Sequence, residues 1–310
     1  IVIMVVGAAG LLMAWQGVAV SAIAIPLMLL ALLAMGVHST FFGPIKYAIL
    51  PQHLKDNEVL AGTGLVEAGT YMAILAGTIL AGWIPVEWAA AGVVLTALLG
   101  YVAGREVPPA PPLIAAQPLD FNIIRSSIRL VSDTVHHRRV FLAICAISFF
   151  WTIGAVLFIQ FPPLAKNVLA ASKEVASLFL VVFSVGVAIG SISINALLKG
   201  TVSARHAPAS VLVMGLFIVI FHVICRLWTS HPADGLLDVA NFLAEPLAVA
   251  LLLTLLGIAV SGGMFVVPLY AFLTTTVEKS QTARTIAANN IVNSGAMVIG
   301  SLLAIGLSAG

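Results

Sequence analysis

Residues 246–277 contain no Asp, Glu, Lys, Arg or His. A run of that length exceeds the roughly 20 helical residues needed to cross a hydrocarbon core of about 30 Å. Further apolar runs lie at 22–37, 70–81, 140–159, 176–198 and 209–225. In water, all of them would have to be buried under polar surface. The chain cannot supply that surface: 8% of its 310 residues are charged and its mean hydropathy is +1.14, against about 25% charged residues in soluble domains. The fold class that follows is an all-α polytopic membrane protein. A β-barrel would read instead as short segments of alternating polarity.

Nine spans are predicted, at about 1–15, 20–44, 60–82, 87–104, 140–160, 175–198, 208–228, 244–273 and 286–308. Alternate connections collect the positive charge. One set holds Lys55, Arg105, Arg125, Arg129, Arg138, Arg139, Lys199, Arg205, Lys279 and Arg284; the other holds only Lys166, Lys173 and Arg226. The positive-inside rule places the first set in the cytoplasm. The net charge of +2 gives no reason to expect a nucleic-acid partner. Cys145 and Cys225 lie inside apolar runs without metal-ligand spacing, and the His136-His137 pair has no further ligand nearby. No metal site and no cofactor are expected.

The segment 105–139 is the longest connection and divides four spans from five. Its first part, "REVPPAPPLIAAQP", reads as an extended linker. In the second part Phe121, Ile124, Ile128, Val131 and Val135 form one helical stripe, with Asp120 as the expected N-cap and Arg125, Arg129, Arg138 and Arg139 as a basic side. Two placements fit such a helix: on the inner membrane surface, or packed under the bundle without touching lipid. The expected division is therefore 1–104, a cytoplasmic loop at 105–139, and 140–310.

The chain also repeats itself. A shift of 223 residues lays Tyr47-Ala48-Ile49-Leu50 on Tyr270-Ala271-Phe272-Leu273, and Ala73, Gly77, Leu80 and Ala81 on Ala296, Gly300, Leu303 and Ala304. Pro44 and Pro268 match with a slip of one. Both copies read inward span, cytoplasmic loop, outward span. They are parallel repeats about an axis along the membrane normal, the relation between the two six-helix halves of a major facilitator transporter. In that layout the central loop falls between spans six and seven. The chain would then carry nine of twelve transmembrane helices in two pseudo-symmetric halves, lacking the first two and the last.

The stretch "FFGPIKYAILPQHLKDNEVLAGTGLVEAGTYMAILAGTILAG", residues 41–82, resembles the bacterial lysophospholipid transporter family of the major facilitator superfamily, at Gly43-Pro44, Lys46-Tyr47, Leu50 and Glu67-Ala68. The resemblance implies movement of a lysophospholipid, such as lysophosphatidylethanolamine, across the bacterial inner membrane for reacylation. It also implies a possible partner, since some relatives are fused to acyltransferase and acyl-carrier-protein ligase domains. None of the histidines here has Asp five residues later, as the acyltransferase motif requires, so the chain itself is read as a non-enzyme. Two other readings stay open: a carrier of another small solute or drug, and a membrane anchor for an attached acyltransferase.

Charge inside a span costs at least about 2.5 kcal/mol on insertion scales, so the polar residues within the spans are the candidate site. Glu67 shares a helix face with Thr63 and with Thr70 or Tyr71. Lys46, near the cytoplasmic end of the preceding span, lies at a similar depth and is expected to pair with it. That pair can pin two helices, gate the cytoplasmic mouth, or bind a headgroup with Lys46 on phosphate and Glu67 on amine. In the second copy Asn290 replaces Glu67, and Asn290 and Asn293 share a face. Trp151 and Gln160 complete the set of candidates for substrate binding or gating.

Overall fold

A computed structural model describes residues 1–113, 120–229 and 235–308, without the side chains of 81–83 and 308. The end of the proline-rich linker lies outside the described residues. The elements are α1 (Val2–Trp15), α2 (Ile25–Ala48, entered through a π-helical turn at Val20–Ala24), α3 (Leu50–His53), α4 (Val59–Trp83), α5 (Val86–Arg105), α6 (Ile123–Val135), α7 (Arg138–Asn167), α8 (Lys173–Leu198), α9 (Ala207–Leu227, entered through a 3-10 turn at Ala204–His206), α10 (Val239–Ala244), α11 (Ala248–Thr276) and α12 (Thr282–Ser308).

Among the described residues, eight helices are long and apolar enough to cross a membrane, and the protein is a multi-pass membrane protein. Residues 1–15, expected as the first of nine spans, form the shorter apolar helix α1, 14 residues or about 21 Å long. Two borders also move. α7 runs to Asn167, through Pro162 and Pro163, rather than ending near 160; adjacent prolines free backbone acceptors, a loss that membrane helices tolerate where neighbours replace the bonds. The eighth predicted span begins at Ala248, because residues 239–244 form the separate helix α10.

The chain divides into two compact units, residues 1–45 with 76–115, and residues 46–75 with 116–310. Helices α2 and α4 each contribute to both. In the first unit Gly7 and Gly10 of α1 lie close against Ala31, Met28 and Ala24. Leu29, Leu32, Leu33 and Phe41 of α2 each expose more than half of their surface, as a helix does when its neighbour is lipid.

The second unit is organised around α11, which packs on α7, α8, α9 and α12. The α8–α11 crossing rests on small residues. A Cβ built on Gly190 would lie 2.0 Å from the Val260 carbonyl oxygen, and one on Gly263 would lie 2.4 Å from that of Val187. Without a hydrophobic force between helices in lipid, this close backbone approach is what holds them together. Two apolar clusters fill the unit. One, around Phe161, Phe179, Phe183 and Phe242, lies near the α7–α8 connection. That connection is tied to the chain before α10 by backbone bonds between Ala170, Ser172 and Leu237. The other cluster, around Ile144, Ile147, Phe265, Val266 and Leu273, includes Tyr47 and Leu60, and therefore joins residues 46–75 to the bundle.

The stripe of the central segment forms a helix, α6, packed against α7 and α12. Its cap is not Asp120. Asn122 holds the N-cap position and accepts from the Arg125 backbone N–H, while Asp120 accepts from the Asn122 N–H and pairs with the Arg125 guanidinium at 2.9 Å. The ion pair and the Asn122 N–H occupy the Asp120 carboxylate two residues before the helix, and the cap falls to the Asn122 amide. Leu130, Val131 and Thr134 turn toward the bundle. Phe121, Ile124 and Ile128 stay exposed, so α6 both packs on the bundle and keeps an apolar face free.

Candidate functional site

Five helices, α2, α4, α7, α11 and α12, bring polar and aromatic side chains of the second unit together at the end that carries the positively charged connections. Glu67 sits on α4, about 12 Å beyond its first residue at 1.5 Å per residue. Thr63, Glu67 and Tyr71 fall on one face at spacings of four, and all three are buried, at 0%, 1% and 2% exposure. The shared face predicted from spacing is therefore present, and it turns inward. The Thr63 hydroxyl is spent on the Val59 carbonyl of its own helix.

Glu67 is not paired with Lys46. Its Oε1 accepts from the Tyr47 hydroxyl, and its Oε2 has no partner among the described residues. Lys46 Nζ instead reaches Thr70 Oγ1 at 3.5 Å and sits 4.8 Å from the centre of the Tyr47 ring. The reason is rotational. Lys46 and Tyr47 are neighbours about 100° apart on α2, and only the tyrosine faces the carboxylate. The expected ion pair is replaced by a phenol–carboxylate bond, with the cation over the phenol's face.

Tyr47 then meets its counterpart in the repeat. Its ring stacks on that of Tyr270 with centroids 4.7 Å apart and planes 5° from parallel. The Tyr270 hydroxyl accepts from Trp151 Nε1 at 2.9 Å, and the Asn289 and Asn293 amides lie against it. Trp151 in turn stacks on Tyr71 at 6.2 Å. Asn293 Oδ1 accepts from Ser148 Oγ at 2.6 Å. In both copies, a tyrosine on the incoming helix faces the polar side of the outgoing one. The first copy uses a carboxylate and the second uses amides.

Of the sequence-derived candidates, Glu67, Tyr71, Trp151 and Asn293 join this cluster, with Lys46 at its edge and Thr63 buried one turn away. Asn290 does not join it. Asn289 and Asn293, four apart, are the buried pair, while Asn290 is half-buried and accepts from Asn289 Nδ2 at 3.3 Å. Four apart subtends about 40° and three apart about 60°, so spacing alone did not separate the two pairs. Gln160 is half-buried and lies about 14 Å further along α7 than Trp151. Tyr47, Tyr270, Ser148 and Asn289 were not predicted. The repeat did superpose the two tyrosines, which was the available signal; nothing marked Ser148.

The same end is closed by backbone contact. A Cβ on Gly64 would lie 2.5 Å from the Ser191 carbonyl oxygen of α8, and the Asn57 carbonyl oxygen lies 2.8 Å from the Cβ position of Gly200. Gly200, with φ +76°, is part of the left-handed turn that ends α8, where a side chain would be both strained and obstructed.

Comparison with known proteins places the chain. It is 26% identical over 277 residues to the lysophospholipid transporter LplT of Shigella boydii, covering 86% of this chain and 63% of the relative. It is 27% identical over 275 residues to the lysophospholipid transporter LplT of Citrobacter koseri, with the same coverage. The chain thus spans about 63% of the length of the curated relatives it matches. No solved structure matches it. The family profile described as Major Facilitator Superfamily matches residues 1–301, and with its membrane helices and its parallel repeat the chain belongs to the Major Facilitator Superfamily.

Proposed function

We propose that the protein is a transporter that carries lysophospholipid, such as lysophosphatidylethanolamine, across the bacterial inner membrane by alternating access, and that the cluster around Glu67 belongs to its cytoplasmic closure. Transport is supported by the superfamily, and the substrate class by the names of the relatives. The observation in the chain that carries the reading is the buried carboxylate with one unpartnered oxygen, held by a tyrosine that stacks on its own repeat-mate.

A membrane protein that needed only a static brace would do better with an apolar contact, because a half-satisfied buried carboxylate is costly. A tyrosine stack and a single phenol–carboxylate bond are contacts that can separate without breaking either helix. On opening, Glu67 would exchange the phenol for a cationic group, such as a headgroup ammonium, and Lys46 would be free to meet phosphate. The chain supplies few other charges at that depth, which suits an amphipathic lipid better than a sugar needing many hydrogen bonds.

The test is flux of a fluorescent lysophosphatidylethanolamine across proteoliposomes containing the full-length protein. Wild-type protein is expected to move it. Glu67→Gln and Lys46→Ala are expected to lower the rate by about tenfold or more, the cost of losing one charge-assisted hydrogen bond. Flux of a small solute without lipid flux would favour the carrier of another solute. No flux of either, with support of an attached acyltransferase, would favour the anchor. Wild-type flux in both variants would make the cluster a structural brace.

A further inference from the structure

We propose that the basic cavity where α6 meets the first turns of α7 and α12 binds the headgroup of an anionic phospholipid of the cytoplasmic leaflet, as a resident ligand rather than as cargo. The proposal rests on the membrane orientation and not on the transported substrate.

The cavity holds about 640 Å³ and is lined by Arg138, Arg139 and Arg284, within the usual range for small-molecule sites. These arginines stand at unfavourable places for helix stability. Arg138 and Arg139 open α7 and Arg284 is in the first turn of α12, and neither first turn contains an acidic residue. Helix N-termini already carry partial positive charge, so stability alone favours acids there. Two such ends and three guanidinium groups converge on one space. Asp133 and Glu278 also line it, yet among the described residues none of the three arginines has a carboxylate at ion-pair distance. The cavity thus has three guanidinium groups against two carboxylates, with none of the three held in an ion pair among the described residues, and guanidinium is the donor set that phosphate takes.

Depth assigns the phosphate to a lipid. Val140 follows Arg139 directly, lines the cavity and begins the apolar run 140–159, so the two arginines are held at the boundary between headgroups and acyl chains. Leu130 and Val277 add apolar walls beside them. The outer wall is α6, whose far side exposes Ile124 and Ile128 at 74% and 65%, with Phe121 just before the helix at 86%, as an interfacial helix does. Basic pockets between membrane helices on the cytoplasmic side take anionic headgroups for these reasons.

Native mass spectrometry of the full-length protein, delipidated in detergent and titrated with cardiolipin, phosphatidylglycerol or phosphatidylethanolamine, tests the proposal. Cardiolipin or phosphatidylglycerol is expected to bind about tenfold or more tightly than phosphatidylethanolamine. The triple variant Arg138→Gln, Arg139→Gln, Arg284→Gln should abolish that preference, and Arg205→Gln, outside the cavity, should keep it. Arg284→Gln alone should weaken it, which keeps the test decisive if the triple variant does not fold. Millimolar inorganic phosphate should not displace the lipid. Equal lipid preference in wild type and the folded arginine variants would overturn the site. Displacement by inorganic phosphate would overturn the lipid assignment.

Discussion

Glu67 has two oxygens and one partner. At 1% exposure neither oxygen can turn to water, so the Tyr47 hydroxyl is the only group satisfying the carboxyl among the described residues. Tyr47→Phe keeps the stack on Tyr270 and removes that donor. It should lower stability by about 1–3 kcal/mol, the cost of stranding a buried polar group. Tyr47→Phe combined with Glu67→Leu should recover most of the loss, because both partners then go together. Thermal unfolding in detergent reads both. A second residue-scale prediction concerns the surface. The Arg125 guanidinium beside Asp120 holds its carboxyl below the usual Asp range. A depressed folded value contributes stability above the unfolded value and loses it as pH falls through the folded one. Protection of the amides in the first turn of α6, measured against their intrinsic exchange rates at each pH, should therefore hold at neutral pH and fall only in acid, at a pH below the ordinary Asp range. Asp120→Asn should remove that dependence.

At the scale of the elements, glycine positions separate close packing from open surface. Gly190 faces the Val260 backbone at a distance where no Cβ fits, whereas nothing lies within 4 Å of the Cβ position of Gly69. Gly190→Ala must push α8 and α11 apart and should cost about 1–3 kcal/mol, as overpacking does. Gly69→Ala relieves only a helix-propensity penalty of about 1 kcal/mol, and its midpoint should be unchanged or slightly raised. Gly64 adds a conformational consequence. Gly64→Val would meet the Ser191 carbonyl and hold α4 away from α8. A cysteine placed at Thr63, buried here, should then react with a thiol reagent several times faster than in the Gly64 background. Equal reactivity would mean that this contact does not close the end.

For the whole molecule, the distribution of charge makes a claim about sidedness. Connections carrying Lys55, Lys199 with Arg205, and Lys279 are expected in the cytoplasm. In right-side-out vesicles a cysteine at Lys173, whose side chain is exposed, should be labelled by an impermeant reagent and one at Ser203 should not, with the result reversed in inverted vesicles. Much of this scale was legible from residues. Border prediction failed where a helix was asked to stop before Pro162-Pro163 or to begin at 244, the last residue of α10. Those failures share a cause: an apolar run records what enters the membrane, not where the backbone bends or how far a helix reaches.

The sequence by itself determined the membrane class, the positions of the long helices and the repeat that superposes Tyr47 on Tyr270. Insertion depends on a local sum of transfer energies over about 20 residues, and a repeat is a property of the letters. Only the tertiary structure decided that the superposed tyrosines touch, that Glu67 takes a phenol instead of Lys46, and that Asn289 rather than Asn290 is buried with Asn293. Those outcomes depend on the rotation of each helix about its axis. That rotation is set by glycine contacts such as Gly64 on Ser191 and Gly190 on Val260, between segments far apart in the chain. A rotation of 100° exchanges one residue for its neighbour at the interface, and no local pattern records it.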